Sequence, residues 1–189
     1  ENGDLSDEKL RQVAAHAQVR MFEIKLSQGA KPGKGGILPA AKVSAEVAAI
    51  RGIAVGEDSI SPNRHPDVSN DGELLDLIAH VRDVSGKPVG FKAVISSFEW
   101  LDELFAEIKR RGIESAPDFI TIDSGDGGTG AAPMSLIDYV GIPLKESLPV
   151  VVDKLTEHGL RDRIKVVASG KLITPAKAAW ALCLGADFV

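Results

Sequence analysis

Between Glu23 and Gly36 the chain reads Glu-Ile-Lys-Leu-Ser-Gln-Gly-Ala-Lys-Pro-Gly-Lys-Gly-Gly, which places three lysines, a glutamine and four glycines side by side. Glycines let a backbone pass close to a ligand and reach dihedrals that other residues avoid. Lys25, Lys31 and Lys34 supply point charges suited to a carboxylate or a phosphate. Ordinary connections use one or two glycines, so this loop reads as built around an anion. A second run, Asp126-Gly127-Gly128-Thr129-Gly130, leaves backbone amides uncovered, and a shorter turn, Gly170-Lys171, follows later.

Hydrophobic patterning supplies the elements that must hold these loops. Strands are predicted over residues 20–26, 89–95, 118–122 and 164–168, and residues 185–189 read as the opening of one more. Helices are predicted from a Ser6 cap through Ala17, over 43–50, from Asn70 or Asp71 to the stop at Gly86-Lys87-Pro88, and over 98–111, 144–158 and 175–184. Residues 51–70 read as irregular. Strands alternating with helices predict an α/β fold with a parallel sheet, and strands apolar over most of their length predict helices on both faces. Two architectures fit: an open doubly wound sheet and a (β/α)8 barrel. The chemistry-bearing loops follow successive strands, at 28–36, Ser96-Ser97, 124–130 and Gly170-Lys171. That favours the barrel, since an open sheet concentrates its ligand at one switch point. A complete barrel takes about 250 residues. The 189 residues therefore read as one domain that is a fragment of a barrel.

Composition narrows the functional classes. A net charge of −5 argues against a nucleic-acid binder. No apolar run approaches the ~20 residues needed to span a bilayer. The first residues lack the basic and apolar segments of a signal peptide. Cys183 is the single cysteine, which excludes an intrachain disulfide or a multi-cysteine metal site and makes a reducing, cytoplasmic location the expectation. It is expected to pack on the apolar side of its helix. No metal site is predicted.

The segments Lys25 to Gly36, Ile60-Ser-Pro, Asp123-Ser-Gly-Asp-Gly-Gly-Thr-Gly-Ala and Ala168-Ser-Gly-Lys-Leu occur in unbroken order. Together they resemble the FMN-binding synthase domain of glutamate synthase, and more closely the stand-alone FMN-binding glutamate synthase-like proteins, over about residues 21–189. The resemblance implies a TIM barrel of which this chain covers about the fourth strand to the start of the eighth. It implies an oxidoreductase that uses FMN to reduce 2-iminoglutarate, formed from 2-oxoglutarate and ammonia, to L-glutamate. Lys92 is implied as the catalytic residue beneath the flavin, stabilising negative charge on the reduced ring. Gln28, Asp126, Gly127, Gly128, Gly170 and Lys171 are implied as further cofactor contacts. Lys25, Gln28, Lys31 and Arg51 are implied as oxo-acid ligands, because two carboxylates need two cationic partners and arginine grips one in bidentate fashion.

The residues themselves bear on these roles. A lysine inside Val89-Gly-Phe-Lys-Ala-Val-Ile must face a polar cavity or be paired, since burying a bare charge is costly. Lys34 reads as a solvated surface lysine. Arg64 and His65 lie near the same mouth in sequence terms, with His65 read as structural, and His16, His80 and His158 read as surface residues on helices. An electron-donor protein or a nicotinamide-dependent reductase is the implied partner, and exposed sheet edges favour a homo-oligomer. These residues contain neither the cysteine cluster nor the amidotransferase domain of full glutamate synthases, nor a dinucleotide fingerprint. Two other readings stay open: a phosphate-binding barrel lyase or isomerase with Lys92 as Schiff-base or general-base residue, and an inactive truncated barrel. FMN is expected in the intact protein, while the isolated 189 residues are expected to hold no stoichiometric flavin.

Overall fold

The computed structural model describes residues 5–126 and 132–189. Helix α1 (Asp7–Ala14) starts where the Lys9 N–H donates to Ser6 Oγ, and it ends three residues short of the predicted Ala17. Strand β1 (Phe22–Lys25) follows. Two-residue strands β2 (Ile37–Leu38) and β3 (Ser59–Ile60) then pair antiparallel, on either side of α2 (Ala45–Arg51). Strands this short show no alternation, so β3 falls in the stretch that patterning leaves irregular. The remainder alternates as expected: α3 (Asp71–Ser85), β4 (Val89–Ala93), α4 (Glu99–Arg111), β5 (Phe119–Asp123), α5 (Leu144–Glu157), β6 (Lys165–Ser169) and α6 (Pro175–Cys183). Asn70 and Thr174 cap α3 and α6 through their side chains.

Strands β1, β4, β5 and β6 form one parallel sheet in chain order. Beyond β6, Phe188 bridges Val167 in parallel, and the Ala168 N–H donates to the Phe188 carbonyl at 2.9 Å. Residues 185–189 thus begin another strand, as the pattern anticipates. Among the described residues, no helix is long and apolar enough to cross a membrane.

Strand register decides which side chains share a face. Ile24, Phe91, Ile120 and Val166 stand level across the sheet and are buried. They join Ile78 of α3, Leu104 and Phe105 of α4, and Leu148 and Val151 of α5 in a single core. One residue further along, Lys25, Lys92, Thr121 and Val167 stand level on the opposite face. Helices therefore pack on one face of the sheet, not on both. Glu23-x-Lys25 and Lys92 with Thr121 interrupt the apolar strands at period two, the mark of a sheet with one solvated face. A further departure concerns Cys183, which is exposed, while the neighbouring Ala181 fills the core. His158 caps α5, stacks edge-on against Phe105 and meets Asp102 at 3.2 Å, so it is a half-buried packing residue rather than a surface one.

Asp118 ties the amino-terminal end of the sheet. Its Oδ2 accepts from the Val89 N–H at 2.8 Å and from Arg82 Nε at 3.0 Å, and its Oδ1 lies 3.0 Å from Arg163 Nη1. Asp118→Ala should lower stability by ~1–3 kcal/mol, because it strands the Val89 N–H and takes the charged partner from Arg82 and Arg163, which keep only carbonyl acceptors. Urea unfolding checks this, and an unchanged midpoint would contradict it.

On α4, Glu107 accepts from Arg110 and Arg111, which hold its carboxyl down at about 2. A carboxylate with a depressed folded value contributes stability that is whole above its ordinary value of 4.5 and fades as pH falls toward 2. Glu107→Gln should unfold at lower urea than the parent at neutral pH, with the two midpoints converging as pH falls from 4.5 toward 2, and an equal gap at both ends of that window would contradict it.

Candidate functional site

The loop after β1 is set by close backbone approach. Leaving the sheet, it places Ser27 Oγ where the Val94 N–H donates to it at 2.9 Å. The Gly29 N–H then donates to Asp123 Oδ2 at 2.9 Å, and Ser169 Oγ donates to the other oxygen of the same carboxylate at 3.1 Å. A Cβ on Gly29 would lie 1.7 Å from the Ser124 carbonyl oxygen, so only glycine fits. At the far end a Cβ on Gly35 would meet the Ser61 carbonyl oxygen at 1.9 Å. There the Gly35 N–H donates to Asn63 Oδ1, and the Ser61 N–H donates to the Gly36 carbonyl. The loop is stitched to the end of β5 on one side and to the segment after β3 on the other.

Between the stitches lies a cavity of about 270 Å³, with Lys25, Gln28, Lys31 and Lys34 on one wall and Arg64 and His65 on the other. No aspartate or glutamate lines it, in a chain whose net charge is negative. Lys25 Nζ donates to Gln28 Oε1 at 3.2 Å, which leaves the Gln28 amide hydrogens for a ligand. Lys31 is only 8% exposed, and its ammonium makes no hydrogen bond or ion pair with any described residue. The ammonium keeps solvent contact through the cavity, with its donors uncommitted. The cavity suits an anion.

A second cavity, of about 360 Å³, lies against the uncovered sheet face and is bounded by Glu23, Lys92, Thr121, Ser169 and Gly170. Lys92 Nζ stands 3.9 Å from Glu23 Oε1, and Thr121 Oγ1 donates to Glu23 Oε2 at 2.6 Å. Gly170 holds φ at 123°, with Ser124 Cβ 2.4 Å from where its own Cβ would be. Lys171 holds φ at 50°, a strained conformation for a residue with a side chain. With Asp126, Lys145 and Lys177 it borders a third hollow beside α6.

The structure thus brings Lys25, Gln28 and Lys31 to one cavity, and Lys92 and Gly170 to a neighbouring one, with Lys25 and Lys92 paired in register. Asp126 bonds to the Ser124 hydroxyl, which also accepts from the Leu144 N–H. Arg51 stands apart from both linings, its Nη1 donating to Ser59 Oγ at 3.3 Å. Gly127 and Gly128 lie outside the described residues. Lys34 is exposed yet belongs to the cavity wall. Glu23 and Thr121 were not singled out by sequence reasoning. The alternation of Glu23 with Lys25 was the available signal.

Residues 12–189 match the family described as a conserved region in glutamate synthase. The chain belongs to the glutamate synthase family. It is 49% identical over 188 residues to the glutamate synthase large subunit-like protein YerD of Bacillus subtilis (strain 168), covering 100% of this chain and 35% of that protein. It is 37% identical over 179 residues to the archaeal glutamate synthase (NADPH) of Methanocaldococcus jannaschii, covering 89% of this chain and 32% of that protein. The chain spans about a third of the length of these curated relatives. Among solved structures, a mutant flavocytochrome b2 with pyruvate bound superposes at a TM-score of 0.55 with 16% identity, over 97% of this chain and 38% of that one. That is a likeness of fold.

In this glutamate synthase family chain the lone ammonium of Lys31 makes a direct test possible. Lys31→Met should melt close to the parent in dilute buffer, since the ammonium it removes has no hydrogen bond or ion pair with any described residue. It should also lose the rise in Tm that sulfate gives the parent, a ligand effect that reaches ~2.7 kcal/mol at a hundredfold excess over Kd. A lower Tm with the sulfate response intact would contradict an anion role for Lys31.

Proposed function

We propose that this chain is part of an FMN-dependent oxidoreductase of the glutamate synthase type, which reduces 2-iminoglutarate, formed from 2-oxoglutarate and ammonia, to L-glutamate. The observation that carries the reading is the acid-free cationic cavity around Lys31, set beside the lysine-bearing sheet face in a chain of this family. The architecture proposed is an incomplete (β/α)8 barrel, from about the fourth strand to the start of the eighth. Helices on one face only and a polar opposite face support it, since the interior of a barrel is the face its helices do not cover.

The residues present fit a flavin. Lys92 brings a cation to an open polar face, held near Glu23 but free of a close ion pair at 3.9 Å. Gly170 turns bare backbone toward the same cavity, and Lys171 follows it as a phosphate-side cation. When bound, FMN would supply the hydride for the imine. The chain's own work is orientation and charge. Lys31 and Lys25 neutralise the oxo-acid carboxylate, and the Gln28 amide, its oxygen engaged by Lys25, donates to the substrate. Lys92 would balance negative charge on the reduced ring, and Glu23, fixed by Thr121, stands 3.9 Å from its ammonium. Fixing both partners in one geometry is where such a site gains most of its rate. The electron supply is assigned to a donor protein or nicotinamide-dependent reductase, and the setting to the cytoplasm.

The reading is tested on the purified protein that contains this chain. Titrated FMN fluorescence should be quenched, with Lys92→Met weakening binding at least tenfold. Photoreduced protein should be reoxidised without oxygen only when 2-oxoglutarate and ammonium are both present. Absence of flavin binding, or reoxidation indifferent to 2-oxoglutarate, would overturn it.

A further inference from the structure

The cavity around Lys31 has two cationic walls, and the second is unaccounted for. Arg64 sits in the segment between β3 and α3, where backbone ties flank it on both sides. Asn63 Oδ1 accepts from the Gly35 N–H at 3.0 Å, and His65 Nδ1 accepts from the Asp67 N–H at 3.3 Å. The Asn63 bond holds this segment against the glycine loop. Arg64 is exposed, its guanidinium has no hydrogen bond or ion pair with any described residue, and it lines a cavity free of carboxylates. Its guanidinium offers a planar fork of donors that matches a carboxylate in bidentate geometry.

Across the cavity, Lys31 is more than nine-tenths buried and also unpartnered. Two cations from separate segments line one space of about 270 Å³, which suits a small ligand with two anionic groups. Phosphates of a nucleotide would bring a base as well, and the volume falls below the ~300–1,000 Å³ typical of drug-sized ligands. Arg51, the other arginine near β3, lines neither this cavity nor its neighbour.

We infer that Arg64 grips the distal carboxylate of the substrate and so selects a dicarboxylic 2-oxo acid over a monocarboxylic one, while Lys31 takes the carboxylate at the oxo end. This rests on the 2-oxo acid reading above. It adds a specificity residue that the family resemblance does not name.

The test compares 2-oxoglutarate with 2-oxopentanoate, which has the same carbon chain without the second carboxylate. Binding of each is measured by calorimetry on the oxidised protein. The parent should prefer 2-oxoglutarate. Arg64→Ala should weaken 2-oxoglutarate roughly 10- to 100-fold, the size of a lost charge-assisted contact, and leave 2-oxopentanoate within about twofold. Arg64→Lys should recover part of the preference, as a point charge without the fork. Unchanged 2-oxopentanoate binding also reports that the variant is folded. Retention of the dicarboxylate preference in Arg64→Ala, or equal loss of both acids, would overturn the assignment to Arg64. Failure of the parent protein to bind either acid would remove the substrate reading itself, and the proposal with it.

Discussion

The parallel register of β1, β4, β5 and β6 is the constraint from which the rest follows. Because side chains alternate across a strand, fixing Ile24 level with Phe91, Ile120 and Val166 also fixes Lys25 level with Lys92 and Thr121 on the other side. One level packs against α3, α4 and α5 and excludes water. The adjacent level cannot, and it carries the polar groups. A slip of one residue would bury Lys92 and expose Phe91, so the apolar core enforces the geometry of the candidate site. Asp118 pins this register at the end of the sheet away from the loops.

At the opposite end, glycine does what register alone cannot. Gly29 and Gly35 let the loop after β1 run against the Ser124 and Ser61 carbonyls at distances no side chain would tolerate. This double contact brings the Lys31 ammonium into a cavity whose lining holds no carboxylate. The presence of that charge in a site walled by further cations is understandable if a ligand completes the charge balance, and it fits the place of this chain in the glutamate synthase family.

Much of this was legible in the sequence, for identifiable reasons. The four sheet strands, the long helices and the start of a further strand at 185–189 follow from apolar periodicity and from caps such as Asn70. The glycine loop stood out by composition, and Lys25, Gln28 and Lys31 do share a cavity. What was not legible depends on distant pairings. The β2–β3 ladder is too short to leave a period. The wall provided by Arg64 exists only because Asn63 and Ser61 bind the glycine loop across about thirty residues of chain, a contact no local pattern encodes. Helices on both faces were the natural expectation for apolar strands. The polar exceptions, Glu23, Lys92 and Thr121, were too few to overrule it until the strands were aligned.

The central claim is that the space between the glycine loop and the segment after β3 is an anion site organised by Lys31. Anomalous scattering from crystals of the protein grown in bromide tests it most directly. The account predicts a bromide peak within ion-pair distance of Lys31 Nζ, inside the cavity. A Lys31 side chain turned out to solvent, with no peak between the two walls, would contradict it.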